Sequence, residues 1–304
     1  MIIIFSEVAF AWIEEKRKEV KKSTYYAYLT IIKIHVLPFF CDCKIIDKTK
    51  FADFIDSIKS KPISNKTKKD IIIVFRMILK YMVKKQLINS LPSFDNVMLK
   101  EKRTKVDVMS NGEFKKLFNY VMNNFSFVNL GIAITMTTGL RIGEICALKW
   151  DDILLNENEI SINKTIQRIY DSNSGLTELV VSEPKTVESK RLIPISNALK
   201  KILVPLLKIV KKECYIVSNN LRPIEPRTYR ELFKKTLIRL NIKPLKFHCL
   251  RHTFATRCVA TNSDYKTISC ILGHSSIATT MNLYVHPNSE QKKKCIEKMI
   301  RDMI

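Results

Sequence analysis

Three short segments hold side chains able to act together on a phosphate. Thr138-Gly139-Leu140-Arg141-Ile142-Gly143-Glu144 sets a guanidinium in the first turn of an expected helix, after a glycine turn. A pairing with Glu144 at i+3 also accounts for Arg141 as plain structure. His248-Cys249-Leu250-Arg251-His252 places an imidazole and a guanidinium three apart, on one helical face. Leu272-Gly273-His274-Ser275-Ser276 fixes His274 at a corner between two helices. Gly273 suits the position just past a helix from Tyr265, and Ser275 or Ser276 caps the next one. Tyr284 follows one element later, just before Val285-His286-Pro287. Taken singly, these are ordinary residues: a helix-start arginine, a surface His and Arg, a half-buried tyrosine. Taken together they supply metal-free phosphoryl transfer. Tyr284 would attack, and Arg141 and Arg251 would each offer a planar fork of donors to the phosphate oxygens. His248 and His274 would donate hydrogen bonds or carry protons, and a lysine from the intervening β-turn would protonate the departing 5′-oxygen.

The elements that must position these groups are mostly helical. Before residue 96, Ser6 is read as the cap of a first helix with Val8, Ala11 and Trp12 on its buried face. Tyr25, Tyr28, Leu29, Ile32 and Val36 form a second stripe, ending at Pro38. Phe51, Phe54, Ile55 and Ile58 give a third helix. Ser64 or Asn65 opens a fourth with Ile71, Val74, Phe75, Ile78 and Met82. Charges replace periodicity around Lys100–Lys105, so the chain is divided into a helical domain at 1–95, a linker at 96–108 and a second domain at 109–304. Ser110 and Glu113 read as a capping box. Glu159–Ile169, Leu179–Val181 and Leu192–Ile195 read as short strands around a polar turn at Pro184–Arg191. Cys295, Ile296, Met299, Ile300 and Met303 recur at helical spacing, giving a tail helix at 289–304.

The charge balance points to a polyanionic partner. The chain has 52 Lys+Arg against 29 Asp+Glu, a formal net charge of +23 over 304 residues. The excess is shared: residues 1–100 hold 19 basic and 10 acidic side chains, the rest 33 and 19. Lys66, Lys68 and Lys69 lie at an expected helix start, a place that suits a phosphate as well as a solvated loop. Eight scattered cysteines make no pair of CxxC motifs, so no structural zinc is expected. No stretch of 18 apolar residues occurs, and the opening Met1-Ile2-Ile3-Ile4-Phe5 lacks the basic start of a signal peptide. A reducing cytoplasmic setting is the expectation for free thiols.

The three segments, in this order, resemble the signature of the tyrosine recombinases, or phage integrase family, over Met109 to the C-terminus. The resemblance is looser over the helical N-terminal part. It implies a mainly α fold with a small antiparallel β-sheet. Two domains would form a DNA clamp: an N-terminal helical SAM-like core-binding domain and a C-terminal α+β catalytic domain. It assigns Tyr284 as nucleophile with Arg141, His248, Arg251 and His274 around the phosphate. The family's hairpin lysine maps to Lys185, with Lys190 as the rival, and Glu144 maps to a supporting acidic position. It further implies a 3′-phosphotyrosine intermediate and no metal or cofactor. The partner would be duplex DNA with core-type sites, bound by four protomers on two sites from a protein that is monomeric in solution. The tail helix would dock on a neighbouring protomer, and a directionality factor is possible. With core-binding helices expected from almost Met1, no arm-binding domain is expected, and the protein would either bind core sites only or be a shortened version. The motif wording is closest to integrases of phages and conjugative elements. Chromosome- or plasmid-dimer resolution, relaxation by a related topoisomerase, and a non-catalytic DNA-binding regulator remain as alternatives.

Overall fold

A computed structural model describes residues 4–40, 48–92, 106–171, 175–184 and 189–284, with residues 293, 296 and 297 beyond them. Lys185, the segment Cys41–Cys43 and the bulk of the expected tail helix lie outside the described residues. The chain divides into two compact units. One comprises residues 1–104 with 169–178, the other residues 105–168 with 179–304.

The first unit is helical: α1 (Phe5–Arg17), α2 (Lys22–Ile31), α3 (Leu37–Phe40), α4 (Lys48–Ser60) and α5 (Asn65–Lys84). Its core is aromatic. The Phe40 ring lies 4.9 Å from Phe5, 5.0 Å from Phe54 and 5.1 Å from Phe75, centroid to centroid. Pro38 does not end the second helix as its sequence suggests. A π-helical turn over Ile32–Val36 joins α2 to α3, with the Leu37 N–H donating to the Ile32 carbonyl. A widened turn relieves the clash between a proline ring and the carbonyl four residues back, so the helix runs on to Phe40. The cap of α1 is Ile4 rather than Ser6, which sits inside the first turn; Ala9, not Ala11, takes the buried place. Ser64 caps α5, accepting from the Thr67 N–H.

The second unit begins with α6 (Asn111–Asn123), opened by the expected capping box: Ser110 Oγ accepts from the Glu113 N–H, and the Glu113 carboxylate accepts from the Ser110 N–H. Then come α7 (Phe127–Thr138), α8 (Ile142–Ala147) and five strands, β1 (Ile153–Leu154), β2 (Glu159–Ile162), β3 (Thr165–Tyr170), β4 (Thr177–Ser182) and β5 (Arg191–Pro194), of which residues 169–170 of β3 and 177–178 of β4 count with the first unit. The single strand expected over 159–169 is two strands, broken at Asn163-Lys164, where Asn163 turns its amide to Asp152 and Ser161. β1, β2 and β5 form an antiparallel sheet in that order, and β3 pairs with β4 in a second one. Helices α9 (Asn197–Leu207), α10 (Pro226–Arg239), α11 (Cys249–Ala260), α12 (Tyr265–Leu272) and α13 (Ile277–Tyr284) complete the unit. Trp150, Leu117, Ile160, Phe233 and Leu250 are among the side chains buried in its main core. A small satellite core of Ala255, Ile268, Leu272 and Tyr284 joins α11, α12 and α13. Among the described residues no helix is long and apolar enough to cross a membrane.

Candidate active site

Two left-handed glycines place the first arginine. Gly139 ends α7 at φ +67°, a backbone region that costs an L side chain energy. A Cβ there would also lie 2.7 Å from both Leu272 and Phe254, so α7 closes tightly on α11 and α12. Arg141 is the residue that caps α8, and its backbone N–H donates to Glu144 Oε2 at 2.9 Å. Its guanidinium donates to Glu144 Oε1 at 2.8 Å and to the Gly273 carbonyl at 2.9 Å. Gly273 is the second left-handed glycine, ending α12 at φ +62° beside His274. The first and third sequence segments, more than a hundred residues apart, therefore meet through one guanidinium.

Arg251 sits in the first turn of α11 and is 1% exposed. One of its terminal nitrogens, Nη1, donates to the Gly139 carbonyl at 3.0 Å. The other, Nη2, is buried and has no acceptor among the described residues. An unmet buried donor on a cation is costly, and an incoming anion removes the cost. Burial first, and then the charge of Arg141, lower the Arg251 pKa to about 9, which leaves it protonated at neutral pH. Burial raises the pKa of the Tyr284 phenol, and the charges of Arg251 and Arg141 oppose that rise.

Glu144 anchors this charge. It is 3% exposed and accepts from Arg141 through one guanidinium nitrogen and the backbone N–H, and from the Arg191 fork through Nη2 at 2.9 Å and Nη1 at 3.2 Å. Burial works to raise its carboxyl, and the Arg191 hydrogen bond and charge, with Arg141, outweigh it and hold the group below the usual carboxylate range. Arg191 is held in turn by β5, where it pairs with Ile162 of β2, and its Nε donates to the Ile271 carbonyl at 2.6 Å. Sequence reasoning passed over Arg191 because a basic residue after a polar turn looks like solvent-facing surface. Its side chain is 6% exposed.

The histidines fall into distinct places. His248 is the N-cap residue of α11 and is exposed. Part of its ring meets solvent. Burial of the rest, then His252, Arg251 and Arg141, lower its pKa to about 4 against an upward push from Glu144. His274 Nδ1 pairs with Thr280 Oγ1 at 2.8 Å, and burial followed by the three arginines 251, 141 and 191 lowers its pKa to about 4. Its ring lies nearly parallel to that of Tyr284, 6.5 Å between centroids. Tyr284 ends α13, whose start is capped by Ser276 Oγ accepting from the Ala278 N–H. The phenolic oxygen lies 2.8 Å from Nδ1 of His252, a contact that the position of His252 next to Arg251 in the sequence does not signal.

Lys190 is exposed and forms an ion pair with Glu183 at 2.8 Å. Lys66, Lys68 and Lys69 lie in the first turn of α5, in the first unit; Lys68 donates to the Lys59 carbonyl. Among the described residues no three His, Cys, Asp or Glu side chains are grouped to hold a metal ion.

Residues 107–291 match the phage integrase family, and residues 4–50 match the N-terminal SAM-like domain of phage integrases. The chain belongs to the phage integrase family. Similar proteins include the ICEBs1 integrase of Bacillus subtilis, 25% identical over 292 residues that cover 92% of this chain and 78% of that protein. Another is a tyrosine recombinase XerC-like protein of Caldanaerobacter subterraneus, 28% identical over 216 residues, 64% of this chain. The match spans only 54% of that relative's length. Among solved structures, the Tn1549 transposon integrase in complex with transposon right end DNA superposes with a TM-score of 0.76 at 20% identity, covering 96% of this chain and 99% of that one. A lambda integrase tetramer bound to a Holliday junction gives 0.62 at 15% identity, covering 92% and 79%. These structural likenesses establish the fold: mainly helical, with small antiparallel sheets and a SAM-like N-terminal domain ahead of the catalytic domain.

Proposed function

We propose that this protein is a tyrosine-type site-specific DNA recombinase that integrates and excises a mobile element. The observation that carries the reading is the buried Arg251 guanidinium with an unmet Nη2, tied to the Gly139 turn that leads into Arg141, whose own guanidinium reaches the Gly273 carbonyl beside His274. A phosphodiester supplies the acceptors that this pocket lacks. Tyr284 attacks the phosphorus, forming a 3′-phosphotyrosine bond and releasing a 5′-hydroxyl. Arg141 and Arg251 stabilise charge on the non-bridging oxygens. His248 and His274 are neutral at pH 7 and donate hydrogen bonds to the same phosphate. Lys185 is the acid for the departing oxygen. Its rival Lys190 has Glu183 as a partner, which favours Lys185. Glu144, clamped by Arg191, sets the direction of Arg141. The energy of the broken bond stays in the protein–DNA link, so rejoining needs no nucleotide, metal or other cofactor.

The expected partner is duplex DNA with core-type sites. Lys66, Lys68 and Lys69 contribute phosphate contacts at the start of α5. The protein is expected to be a cytoplasmic monomer that assembles as four protomers on two sites, with residues 289–304 exchanged between neighbours and a directionality factor choosing the outcome. The XerC-like relative favours a second reading, resolution of chromosome or plasmid dimers by the same chemistry. The fuller coverage by the ICEBs1 integrase favours the mobile element.

The test is covalent trapping. Nicked duplexes tiled across the DNA flanking the coding sequence are incubated with the protein and resolved under denaturing conditions. An adduct formed by the wild type and lost in Tyr284→Phe is expected. An adduct that persists in Tyr284→Phe removes Tyr284 as nucleophile. Salt-dependent binding to every duplex with no adduct points instead to a DNA-binding regulator.

A further inference from the structure

Two imidazoles, His252 and His274, lie beside the Tyr284 ring, a third, His248, lies against His252, and they do not stand equally. His274 directs Nδ1 to Thr280 and presents its ring face to the tyrosine. His248 meets His252 edge to face, 4.4 Å between centroids. His252 directs Nδ1 at the phenolic oxygen, 2.8 Å away. A phenol that attacks phosphorus must shed its proton as the new bond forms, and the group best placed to take it lies within hydrogen-bond reach of that oxygen.

We propose that His252 is a further catalytic residue of this site, the hydrogen-bond partner that aligns the Tyr284 phenol and accepts its proton during attack. The inference rests on the recombinase reading. The step balances: the Tyr284 oxygen forms a bond to phosphorus, the P–O5′ bond breaks, the phenolic proton moves to His252 Nδ1, and the 5′-oxygen takes a proton from the general acid. Rejoining runs the same transfers backwards, with His252 returning the proton to the phenol. No oxidant or further reactant is needed.

Several features make His252 fit for this. It lies one residue past Arg251, so the helix turn that buries the phosphate-binding guanidinium also sets this imidazole. Its ring is half-buried, and burial followed by the Arg251 charge pulls its pKa below the ordinary value against Asp107, so it is neutral at pH 7 and able to accept. Arg251 and His248 face it on its own helix, Asp107 from the segment before α6, and Tyr284 from α13. Burial raises the phenol's pKa, so an unaided Tyr284 is a poor nucleophile at neutral pH.

Two measurements on the full chain test this. The first needs no DNA. Nitrogen-15 spectra of the imidazoles at pH 7 should find His252 with its proton on Nε2 and Nδ1 bare. A proton on Nδ1 makes that atom a donor and overturns the proposal. The second compares adduct formation on the same tiled nicked duplexes by wild type, His252→Asn, His252→Phe and Tyr284→Phe. The Asn amide can still hydrogen-bond to the phenol but does not accept a proton. Cleavage should fall about 100-fold in His252→Asn and at least as far in His252→Phe. DNA binding by gel shift should be unchanged, and the acid limb of the wild-type pH–rate profile should be lost. Full rescue by Asn, with the acid limb intact, reduces His252 to a spacer and sinks the proton-transfer role. Failure of the wild type to form any adduct sinks the recombinase reading itself, whatever the variants do.

Discussion

The two units bury different things. In the first, Phe5, Phe40, Phe54 and Phe75 meet ring against ring beneath a shell of Ile and Leu, and the buried side chains of its core are hydrocarbon or aromatic. In the second, a conventional core around Trp150 lies beside a pocket that buries Arg251, Arg191 and Glu144. Hydrocarbon burial contributes stability roughly in proportion to area. Charge burial costs desolvation that pairing only partly offsets. The first unit is built to hold together, and the second gives up stability to keep cations fixed and waiting for an anion. That is the arrangement a transition state rewards, since no reorganisation is left to do when charge develops.

The contrast can be broken most sharply in the first core. Phe75→Ala should destabilise its unit by about 3–5 kcal/mol. Fluorine NMR of 5-fluorotryptophan protein separates the units, because Trp12 reports on one and Trp150 on the other. The Trp12 transition in urea should move while that of Trp150 stays. In the second unit the converse holds. Arg251→Met should lower cleavage by about 10²–10³-fold, yet move the Trp150 transition far less than Phe75→Ala moves that of Trp12. A loss of stability as large as the aromatic one would show that Arg251 is a structural cation after all.

Smaller effects sharpen the same contrast. Arg191→Ala removes the two-pronged guanidinium from the buried Glu144 and should cost about 3 kcal/mol, read at Trp150. Folding should also respond to acid. His248 and His274 have folded pKa values of about 4, below the ordinary 6.5, so the unfolded chain binds more protons between those values. The stability they contribute is fully present above pH 6.5 and drains away as pH falls toward 4. The urea midpoint read at Trp150 should therefore drop over that window, by more than the midpoint read at Trp12, whose unit has the single lowered histidine His35. The smallest effect is at a helix end: Ser110→Ala breaks the capping box of α6 and should cost about 1 kcal/mol.

Much of this was legible before any coordinates. The capping box at Ser110 and Glu113 and the glycine at the end of α12 are local devices, complete within four residues, so the chain states them outright, while at α5 it leaves Ser64 and Asn65 open and the structure decides for Ser64. Pro38 reads as a helix end because a proline rule assumes a regular α-turn, whereas a π-helical turn over Ile32–Val36 carries the chain on to Phe40, which stacks on Phe75. The strand over 159–169 was read as one because alternation does not register a break at Asn163, whose amide turns to a carboxylate eleven residues back.

By itself the sequence determined which groups are present and in what order: the phenol, the guanidinium pair, the imidazoles, the caps that start and stop their helices, and a surplus of positive charge. Only the tertiary structure decided who meets whom. It turned Arg191 inward to clamp Glu144, left one nitrogen of Arg251 without an acceptor, and brought His252 rather than His248 or His274 to the phenolic oxygen. The physical reason is that hydrogen bonds act over about 3 Å. Which partners come within that reach is set by how helices and strands far apart in the chain pack, and spacing along one segment carries no record of it.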